Sequence, residues 1–259
     1  MTRLSPAAAE AGVRLRALAS VGSTNAEALA AARGGDRGPL WVTARVQSAG
    51  RGRRGRHWTS ETGNLYASLL LVEPAPAALA PQLSFVCALA LHDALAAVAE
   101  ALVPRIALKW PNDILIGGRK AAGILIEGEF IADQKLAVVA GMGVNCAHHP
   151  DGIGATDLAA EGAPVEPDRL FEMLSATMRT RLAQWDHGRN FAAVRTDWLD
   201  RAGGIGAAIK VRGPGADLEG IFADIDETGQ LVLREPSGTT RLIAAGDVVI
   251  PGVTHGAAG

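Results

Sequence analysis

The sequence predicts an α+β fold, in which a mixed or antiparallel sheet is flanked by helices and followed by a small C-terminal β-barrel. Short apolar segments separated by tight turns run through the middle of the chain, beside longer apolar stretches with helical periodicity. After residue 203 the pattern changes to segments of about five residues split by glycine-containing turns. With 259 residues, 48% of them hydrophobic, the chain can form one large domain and one small one. We expect these domains at residues 1–203 and 204–259.

The first predicted helix follows the Ser-Thr-Asn segment of residues 23–25 and ends at the glycines of residues 34–35. Thr24 and Glu27 have the spacing of a capping box, in which two side chains satisfy backbone amides of the first turn. This cap is a structural explanation for Thr24 that involves no ligand.

Two strands are predicted next, at residues 40–47 and 65–71, because both segments are short and apolar. The arginine- and glycine-rich residues 47–58 lie between them. They are therefore expected in a loop that joins two strands of the sheet.

A long helix is predicted in the apolar tract of residues 83–102, after a segment broken by Pro74, Pro76 and Pro81. The tract is rich in alanine and leucine but includes His92 and acidic residues. This composition suits a buried helix better than a bilayer span, so no membrane segment is expected.

Four more strands are predicted before the second half of the chain, separated by short turns such as Pro111-Asn112 and Gly117-Gly118. Parallel neighbours need crossovers of a dozen or more residues, so these short turns favour antiparallel pairing. The strands are expected at residues 106–110, 113–116, 122–127 and 136–144.

Two helices are predicted at residues 168–187 and 190–200, the first led by Pro167 and carrying an apolar stripe. Short strands separated by Gly-Pro-Gly, Glu-Thr-Gly and Pro-Ser-Gly turns follow them. The domain boundary is therefore expected near Gly203-Gly204.

The loop of residues 47–58 combines glycines with guanidinium groups, reading Gln-Ser-Ala-Gly-Arg-Gly-Arg-Arg-Gly-Arg-His-Trp. Glycines at 50, 52 and 55 permit positive φ angles and a close approach of the backbone to a ligand. The forked donors of the arginines suit phosphate and carboxylate oxygens. The loop is predicted to bind an anion, although a solvated turn or a nucleic-acid patch has a similar composition.

Charge and cysteine content exclude several other classes of protein. The formal net charge of −2 argues against a surface that binds nucleic acid throughout. Cys87 and Cys146 are too few and too isolated for a disulfide scaffold or a CxxC metal site, and no basic-then-apolar leader opens the chain. A cytoplasmic protein is expected.

Four separated parts of the sequence form one pattern: residues 23–25, residues 47–58, Lys-Trp-Pro-Asn-Asp at 109–113 with 119–125, and Gly-Met-Gly-Val-Asn at 141–145. In order and spacing they resemble the biotin protein ligases, which activate biotin with ATP and attach it to a lysine of a carrier domain. The resemblance implies a fold related to class II aminoacyl-tRNA synthetases and lipoate ligases, with an SH3-like C-terminal barrel. Because few residues precede the first segment, it implies the form without a DNA-binding domain, and no DNA partner.

The resemblance implies a reaction with ATP and Mg²⁺, with biotin as substrate and the biotin carboxyl carrier protein domain of a carboxylase as partner. Biotin would attack the α-phosphate to give biotinyl-5′-AMP, so two anions meet and fixed cations are the expected catalytic tools. The family pattern assigns this task to Arg53 and Lys120. Asp113 would orient the carrier lysine or accept its proton. The metal ligands are undefined, and a monomer or homodimer is expected.

The same resemblance divides the remaining site residues between the two substrates. Short hydroxyl and amide side chains suit the ureido ring of biotin, and the glycine-rich residues 148–158 resemble the family's mobile loop that covers the adenylate. The biotin set is Ser23, Thr24, Asn25, Gln47, Gly50, Arg51, Tyr66, Lys120, Gly123, Gly141 and Gly143. The ATP set is Arg53, Arg54, Arg56, Trp58, Asn112, Lys120 and Asn145.

Two other functions stay open at this point. A lipoate ligase or octanoyl transferase of the same fold group is the nearer alternative, because Cys146 beside Asn145 could act as a nucleophile. A nucleic-acid-binding module that uses Arg51 to Arg56 on phosphates is the alternative from another class. Several site residues also have ordinary explanations, such as a solvated Lys120 or a turn-forming Asp113.

Overall fold

The computed structural model describes residues 1–152, 154–213 and 217–250, which form a seven-stranded sheet with helices on both faces and a five-stranded sheet. The helices are α1 (Pro6–Glu10), α2 (Thr24–Arg33), α3 (Leu83–Val98), α4 (Pro167–Trp185) and α5 (Phe191–Leu199). The large sheet contains β1 (Arg14–Val21), β2 (Leu40–Gln47), β3 (Leu65–Val72), β4 (Ile106–Lys109), β5 (Asp113–Ile116), β6 (Arg119–Phe130) and β7 (Leu136–Val144). The small sheet contains β8 (Ala208–Arg212), β9 (Leu218–Ile225), β10 (Leu231–Arg234), β11 (Thr240–Ile243) and β12 (Asp247–Val249).

The large sheet is mixed, with the strand order β1-β2-β3-β7-β6-β5-β4. Strands β1 and β2 are parallel, and every other neighbouring pair is antiparallel. The strands expected between residues 106 and 144 are present and antiparallel, as their short turns predict. Strand β6 is longer than the expected 122–127, because it begins at Arg119 beside β5 and continues to Phe130 along β7.

Strand β1 and helix α1 precede the helix that follows residues 23–25, which is the first element that the sequence predicts. β1 is the edge strand of the sheet and buries none of its residues fully, so its side chains carry little of the apolar signal that marks a strand. Helix α2 connects β1 to β2, which are parallel neighbours and therefore need such a crossover.

The predicted cap of the first helix was wrong by one residue. Ser23 is the N-cap, with extended backbone and a side chain that accepts from the Ala26 amide at 3.5 Å. Thr24 is already helical, and its hydroxyl donates instead to Gln47. Thr24 therefore does not cap this helix.

The core lies between the large sheet and helices α3, α4 and α5, while α2 packs on the opposite face. Helix α3 is shorter than the predicted 83–102, because it ends at Val98 and a 3₁₀ turn with Pro104 inside follows. Within the described residues, the helical stretch Ala77–Val98 is long and apolar enough to cross a membrane. However, 67% of its apolar 18-residue window is buried inside the protein, which is the burial of a core helix.

The small sheet packs against the large domain through the turn between β9 and β10. The Trp110 indole N–H donates to the Gly229 carbonyl at 3.0 Å, and a Cβ at Gly229 would lie 2.8 Å from Phe85. Residues 201–203 pair with Leu108 of β4 before the chain enters the small sheet. The proposed boundary at 203–204 lies in this connection.

Candidate active site

A cavity of about 280 Å³ lies where the large sheet, the loop of residues 47–58 and the small sheet meet. Most of the residues that the sequence pattern selects line it. They are Ser23, Thr24, Asn25, Gln47, Arg51, Arg53, Arg56, Trp58, Tyr66, Asn112, Asp113, Lys120, Gly123, Gly141, Gly143 and Asn145. Gly50 and Arg54 are selected by the pattern but do not line the cavity.

One wall of the cavity is a hydrogen-bonded group at the beginning of α2. The Thr24 amide and hydroxyl donate to Gln47 Oε1 at 2.8 and 3.0 Å, and Gln47 Nε2 donates to Ser60 at 2.9 Å. These bonds fix the Gln47 amide orientation, because its oxygen accepts and its nitrogen donates. Thr24 and Gln47 therefore present polar atoms in fixed positions at this end of the cavity.

Asn25 connects that wall to the strands below it. Its Oδ1 accepts from Ser68 at 2.6 Å, and its Nδ2 donates to Glu127 at 2.7 Å. A Cβ on Gly141 would lie 2.1 Å from Asn25 Oδ1, so only glycine fits under this amide. Both polar atoms of the Asn25 amide are thus occupied by protein groups.

The loop of residues 47–58 folds back on itself, with a bridge between Arg51 and His57. Among its glycines only Gly55 has a positive φ, 73°, and it follows Arg54, which has a φ of 58°. Gly50 serves close packing instead, since a Cβ there would lie 2.5 Å from the Trp58 carbonyl. Of the two properties that glycine permits, Gly55 uses the positive φ and Gly50 the close approach of the backbone.

Arg53 and Lys120 meet at two consecutive residues, Asn112 and Asp113. Arg53 Nη1 donates to Asn112 Oδ1 at 3.1 Å, and Lys120 Nζ lies 2.6 Å from Asp113 Oδ1. Lys109 Nζ lies 3.9 Å from the other Asp113 oxygen. Burial lowers the pKa of Arg53 and of Lys109, opposed in both cases by the Asp113 carboxylate. Two lysines thus lie at the Asp113 carboxylate, and Arg53 binds the adjacent Asn112 beside the cavity.

The Trp58 indole covers the glycines of β6 and β7. A Cβ on Gly143 would lie 2.6 Å from the ring, so this position needs glycine, and one on Gly123 would make a tight contact at 3.0 Å. Lys120 Nζ lies 5.4 Å from the ring centroid. The Trp58 indole N–H is buried without a partner among the described residues, so it can donate to an acceptor on a ligand.

Tyr66 and Asn145 line the cavity with their polar groups already engaged. The Tyr66 hydroxyl donates to the Glu61 carbonyl at 2.8 Å, and burial raises the pKa of Tyr66 to about 12. Asn145 Nδ2 donates to the Thr156 carbonyl at 3.0 Å. Asn145 therefore holds the segment 148–158, whose Pro150 and Ala155 border the cavity and whose residue 153 lies outside the described residues.

The small sheet contributes cavity residues that the sequence pattern did not select. Arg212 lies at the end of β8, opposite Asp247 in the pairing of β8 with β12. The residues added to the cavity include Lys109, Arg212, Asp247, Val248 and Val249. Lys109 belongs to the Lys-Trp-Pro-Asn-Asp motif and could have been selected. The barrel residues carry no local signal, because their position depends on how the two sheets pack.

The structure opposes a cysteine nucleophile. Cys146 has 1% of its surface exposed, and burial raises the pKa of its thiol to about 12. A reactive cysteine needs an accessible thiolate, usually beside cations. The Cys146 thiol donates at 3.7 Å to the Val144 carbonyl, so it acts as a buried core residue.

The arginines of the loop also differ from a nucleic-acid patch. Arg51 pairs with Glu127, Arg53 with Asn112, and both Arg54 and Arg56 with Asp247. A surface that binds nucleic acid backbone leaves such groups available along a groove. Here they border a small cavity and are held by groups of the same chain.

The cavity residues do not form a metal site of their own. Among the described residues, no group of three or more His, Cys, Asp or Glu side chains is arranged to hold a metal ion. Asp113 and Asp247 are the lining carboxylates, and both are paired with lysine or arginine.

Comparison with known proteins gives one family for both domains. Residues 34–145 match the model of the Biotin/lipoate A/B protein ligase family, and residues 204–250 match the Biotin protein ligase C terminal domain. The biotin–[acetyl-CoA-carboxylase] ligase of Paracoccus denitrificans is 43% identical over 244 residues, covering 91% of this chain and 100% of that protein.

Two solved structures share the fold. The biotin protein ligase from Aquifex aeolicus, in complex with biotin and ATP, has a TM-score of 0.76 and 25% identity, covering 91% of this chain and 97% of that one. The Leishmania major ligase, in complex with biotinyl-5-AMP, has a TM-score of 0.61 and 25% identity, covering 90% and 99%. The predicted fold class is confirmed. By its identity to the full-length Paracoccus protein, the chain belongs to the biotin protein ligase family of enzymes.

Proposed function

We propose that this enzyme forms biotinyl-5′-AMP from biotin and ATP, and then transfers biotin to a lysine of a biotin carboxyl carrier protein. The observation that carries the proposal is the meeting of Arg53 and Lys120 at Asn112 and Asp113, beside one cavity. Fixed cations in a partly buried site are suited to a reaction that joins two anions. The related ligases with biotin and ATP or with biotinyl-5-AMP support the same two substrates.

In the first step, a carboxylate oxygen of biotin attacks the α-phosphorus of ATP and forms an O–P bond. The bond from the α-phosphorus to the bridging oxygen breaks, and pyrophosphate leaves with its electron pair. Arg53 is proposed to stabilise the charge that develops on the α-phosphate. Its burial makes this charge more effective, since a partly desolvated cation is screened less by water. Lys120 is proposed to bind the biotin carboxyl oxygens and the same phosphate.

In the second step, the amine of the carrier lysine attacks the biotinyl carbonyl and AMP leaves. The attacking amine must first lose a proton. Asp113 is proposed to orient this amine and accept its proton, because its carboxylate lies beside Lys120, the residue proposed to hold the carbonyl. The ammonium group of the carrier lysine would compete with Lys120 and Lys109 for the Asp113 carboxylate.

Biotin is proposed to bind between Trp58 and the wall formed by Ser23, Thr24 and Gln47. A ureido ring needs donors and acceptors in fixed positions, and an unmatched buried polar group would weaken binding. The hydroxyl and amide groups of the wall meet that need, and their orientations are already set. Gln47 Nε2 uses one of its two hydrogens for Ser60 and keeps the other for the ring. Asn25 Nδ2 donates to both Leu125 and Glu127, and the Tyr66 hydroxyl donates its proton to Glu61, so these two residues are proposed to shape the pocket.

The remaining members of the two sets are proposed to act around these central contacts. Mg²⁺ is proposed to arrive with the ATP phosphates, a common mode for this ion, because the chain offers no preformed cluster among its described residues. Two buried, unpaired cysteines fit a cytoplasmic location. The residues proposed for the nucleotide side are Arg54, Arg56, Trp58, Asn112 and Asn145, and those proposed for the biotin side are Gly50, Arg51, Gly123, Gly141 and Gly143.

The direct experiment is a mass measurement of a biotin carboxyl carrier domain after incubation with the enzyme. Biotin with ATP should add one biotinyl group, whereas lipoate with ATP, or biotin alone, should add nothing. A carrier domain with its target lysine replaced by arginine is the matched control. Addition of a lipoyl or octanoyl group instead would contradict the proposal and support the alternative transferase.

A further inference from the structure

The carboxylate of Asp247, at the beginning of β12, holds two arginines that belong to the other domain. Its Oδ2 accepts from Arg56 Nη2, and also from Arg54 Nη1 at 3.3 Å. The carbonyl of the preceding Gly246 accepts from Arg53 Nη1 at 3.3 Å. Three guanidinium groups of one loop therefore converge on two consecutive residues of the small sheet.

Asp247 is ionised and lies at the cavity itself. Burial opposes its charge, but the hydrogen bond from Arg56 and the charges of Arg54 and Arg53 hold the pKa of this carboxyl below its usual range. Its side chain is 27% exposed and lines the cavity, as Arg56 does. An anion that enters the cavity therefore meets Arg56 already paired with a carboxylate.

Asp247 Oδ2 accepts one N–H from each of two guanidinium groups, which is the kind of charge-assisted hydrogen bond that a phosphate oxygen makes with arginines. Without a carboxylate here, neighbouring guanidinium groups of the loop would repel one another in the ligand-free enzyme. With it, a phosphate group that takes the Arg56 Nη2 donor competes with Asp247. The same residue thus orders the loop and opposes the anion that the loop is expected to bind.

We propose that Asp247 is an internal substitute for a phosphate group, which holds Arg54 and Arg56 in the ligand-free enzyme and releases Arg56 to the polyphosphate of ATP. This inference rests on the function proposed above, because it assumes that ATP enters this cavity. Asp247 is a positioning residue, since it acts through the arginines. ATP binding then breaks a contact between the two domains, which links nucleotide binding to the position of the small sheet.

The test is titration calorimetry of Asp247→Asn with ATP, with inorganic pyrophosphate and with biotin, each alone. Removal of the competing charge should tighten ATP and pyrophosphate binding by about two- to fivefold, the range expected when a partly exposed ion pair is lost. The difference should shrink at high salt, where such pairs are screened. Biotin affinity should not change.

Glu219→Gln is the matched control, because it removes one negative charge from the same sheet at a residue that pairs with Lys210 instead of the loop. It should leave all three affinities as in the wild type. If it tightens ATP binding as much as Asp247→Asn, the effect belongs to overall charge and the inference is overturned.

Unchanged or weaker ATP binding in Asp247→Asn would also overturn the inference, and weaker binding of both ATP and biotin would show that Asp247 only orders the loop. If this variant does not fold, Asp247→Ser serves the same comparison. The proposed function is tested by a different observation: it fails if the wild-type enzyme adds no biotin to the carrier domain. The pyrophosphate titration remains interpretable in that case.

Discussion

At the scale of single residues, Arg53 and Lys120 carry the proposed chemistry, because each brings a positive charge to the same pair of residues. Arg53→Ala and Lys120→Ala should each slow adenylate formation by about 10²–10³-fold, the effect of losing one electrostatic contact to a transition state. Single-turnover measurement of biotinyl-5′-AMP isolates this step. Arg37→Ala is a matched control, since Arg37 pairs with Asp133 and does not line the cavity. Wild-type rates in both test variants would remove the assignment.

Cys146 provides the second residue-scale prediction, which separates a ligase from a cysteine transferase. Cys146→Ser should leave the rate of adenylate formation within about twofold of wild type, because an adenylate mechanism uses no thiolate. Burial that raises the pKa of this thiol to about 12 leaves almost no thiolate at neutral pH. Loss of nearly all activity in a variant that still melts like wild type would favour the transferase.

At the scale of elements, the contact of strand β7 with helix α2 depends on Gly141. In Gly141→Ala, the new Cβ would lie 2.1 Å from Asn25 Oδ1, so Asn25 must give up its bonds to Ser68 and Glu127. Overpacking of this kind costs about 1–3 kcal/mol in the free energy of unfolding. Urea denaturation measures it, and biotin affinity should fall as well.

Gly128→Ala on the adjacent strand β6 is the control for that prediction. Its Cβ would have no neighbour closer than 3.6 Å, so the methyl group fits. The substitution should be neutral or slightly stabilising, because alanine restricts the unfolded chain more than glycine does. Equal destabilisation by the two substitutions would mean that the Asn25 contact is not the cause.

The same scale shows which parts of the fold the sequence predicts. Central strands such as β7 are short, continuous apolar segments, so their sequences identify them. Strand β1 lies at an edge, carries Arg14 and Arg16 and buries none of its residues fully, so local composition does not distinguish it from a polar segment. The cap was misassigned because Ser23 and Thr24 are both good caps, and the hydrogen bond to Gln47 decides between them.

In the candidate site, some residues can also be predicted from the sequence and others cannot. Arg53, Asn112 and Lys120 belong to sequence motifs, and those motifs converge because their strands and loops border one end of the sheet. Asp247 belongs to no such motif, and only the packing of the small sheet brings it to the arginine loop. A residue whose position depends on docking between domains cannot be selected from local pattern alone.

At the scale of the whole molecule, one buried apolar cluster joins the large sheet and its helices to the small sheet. It includes Leu89 of α3 and Phe222 of β9. Phe85 lies at the junction: its ring packs edge-on against Phe191 and Trp198, with centroids 5.5 and 5.2 Å away. Two domains that share a core should unfold together. We therefore expect one calorimetric transition, with equal calorimetric and van't Hoff enthalpies.

Phe85→Ala tests this shared core, because the side chain is 3% exposed and touches the turn between β9 and β10. It should lower the free energy of unfolding by about 3–5 kcal/mol, the usual cost of removing a buried phenylalanine ring.

Two probes follow the two parts of the molecule separately. Tryptophan fluorescence reports on the large domain, which holds every tryptophan of the chain, and hydrogen exchange of residues 218–249 reports on the small sheet. Both signals should shift together, whereas Phe130→Ala, at a side chain 62% exposed, should shift neither. A shift confined to fluorescence would mean that the small sheet is stable without this contact and that the two domains unfold independently.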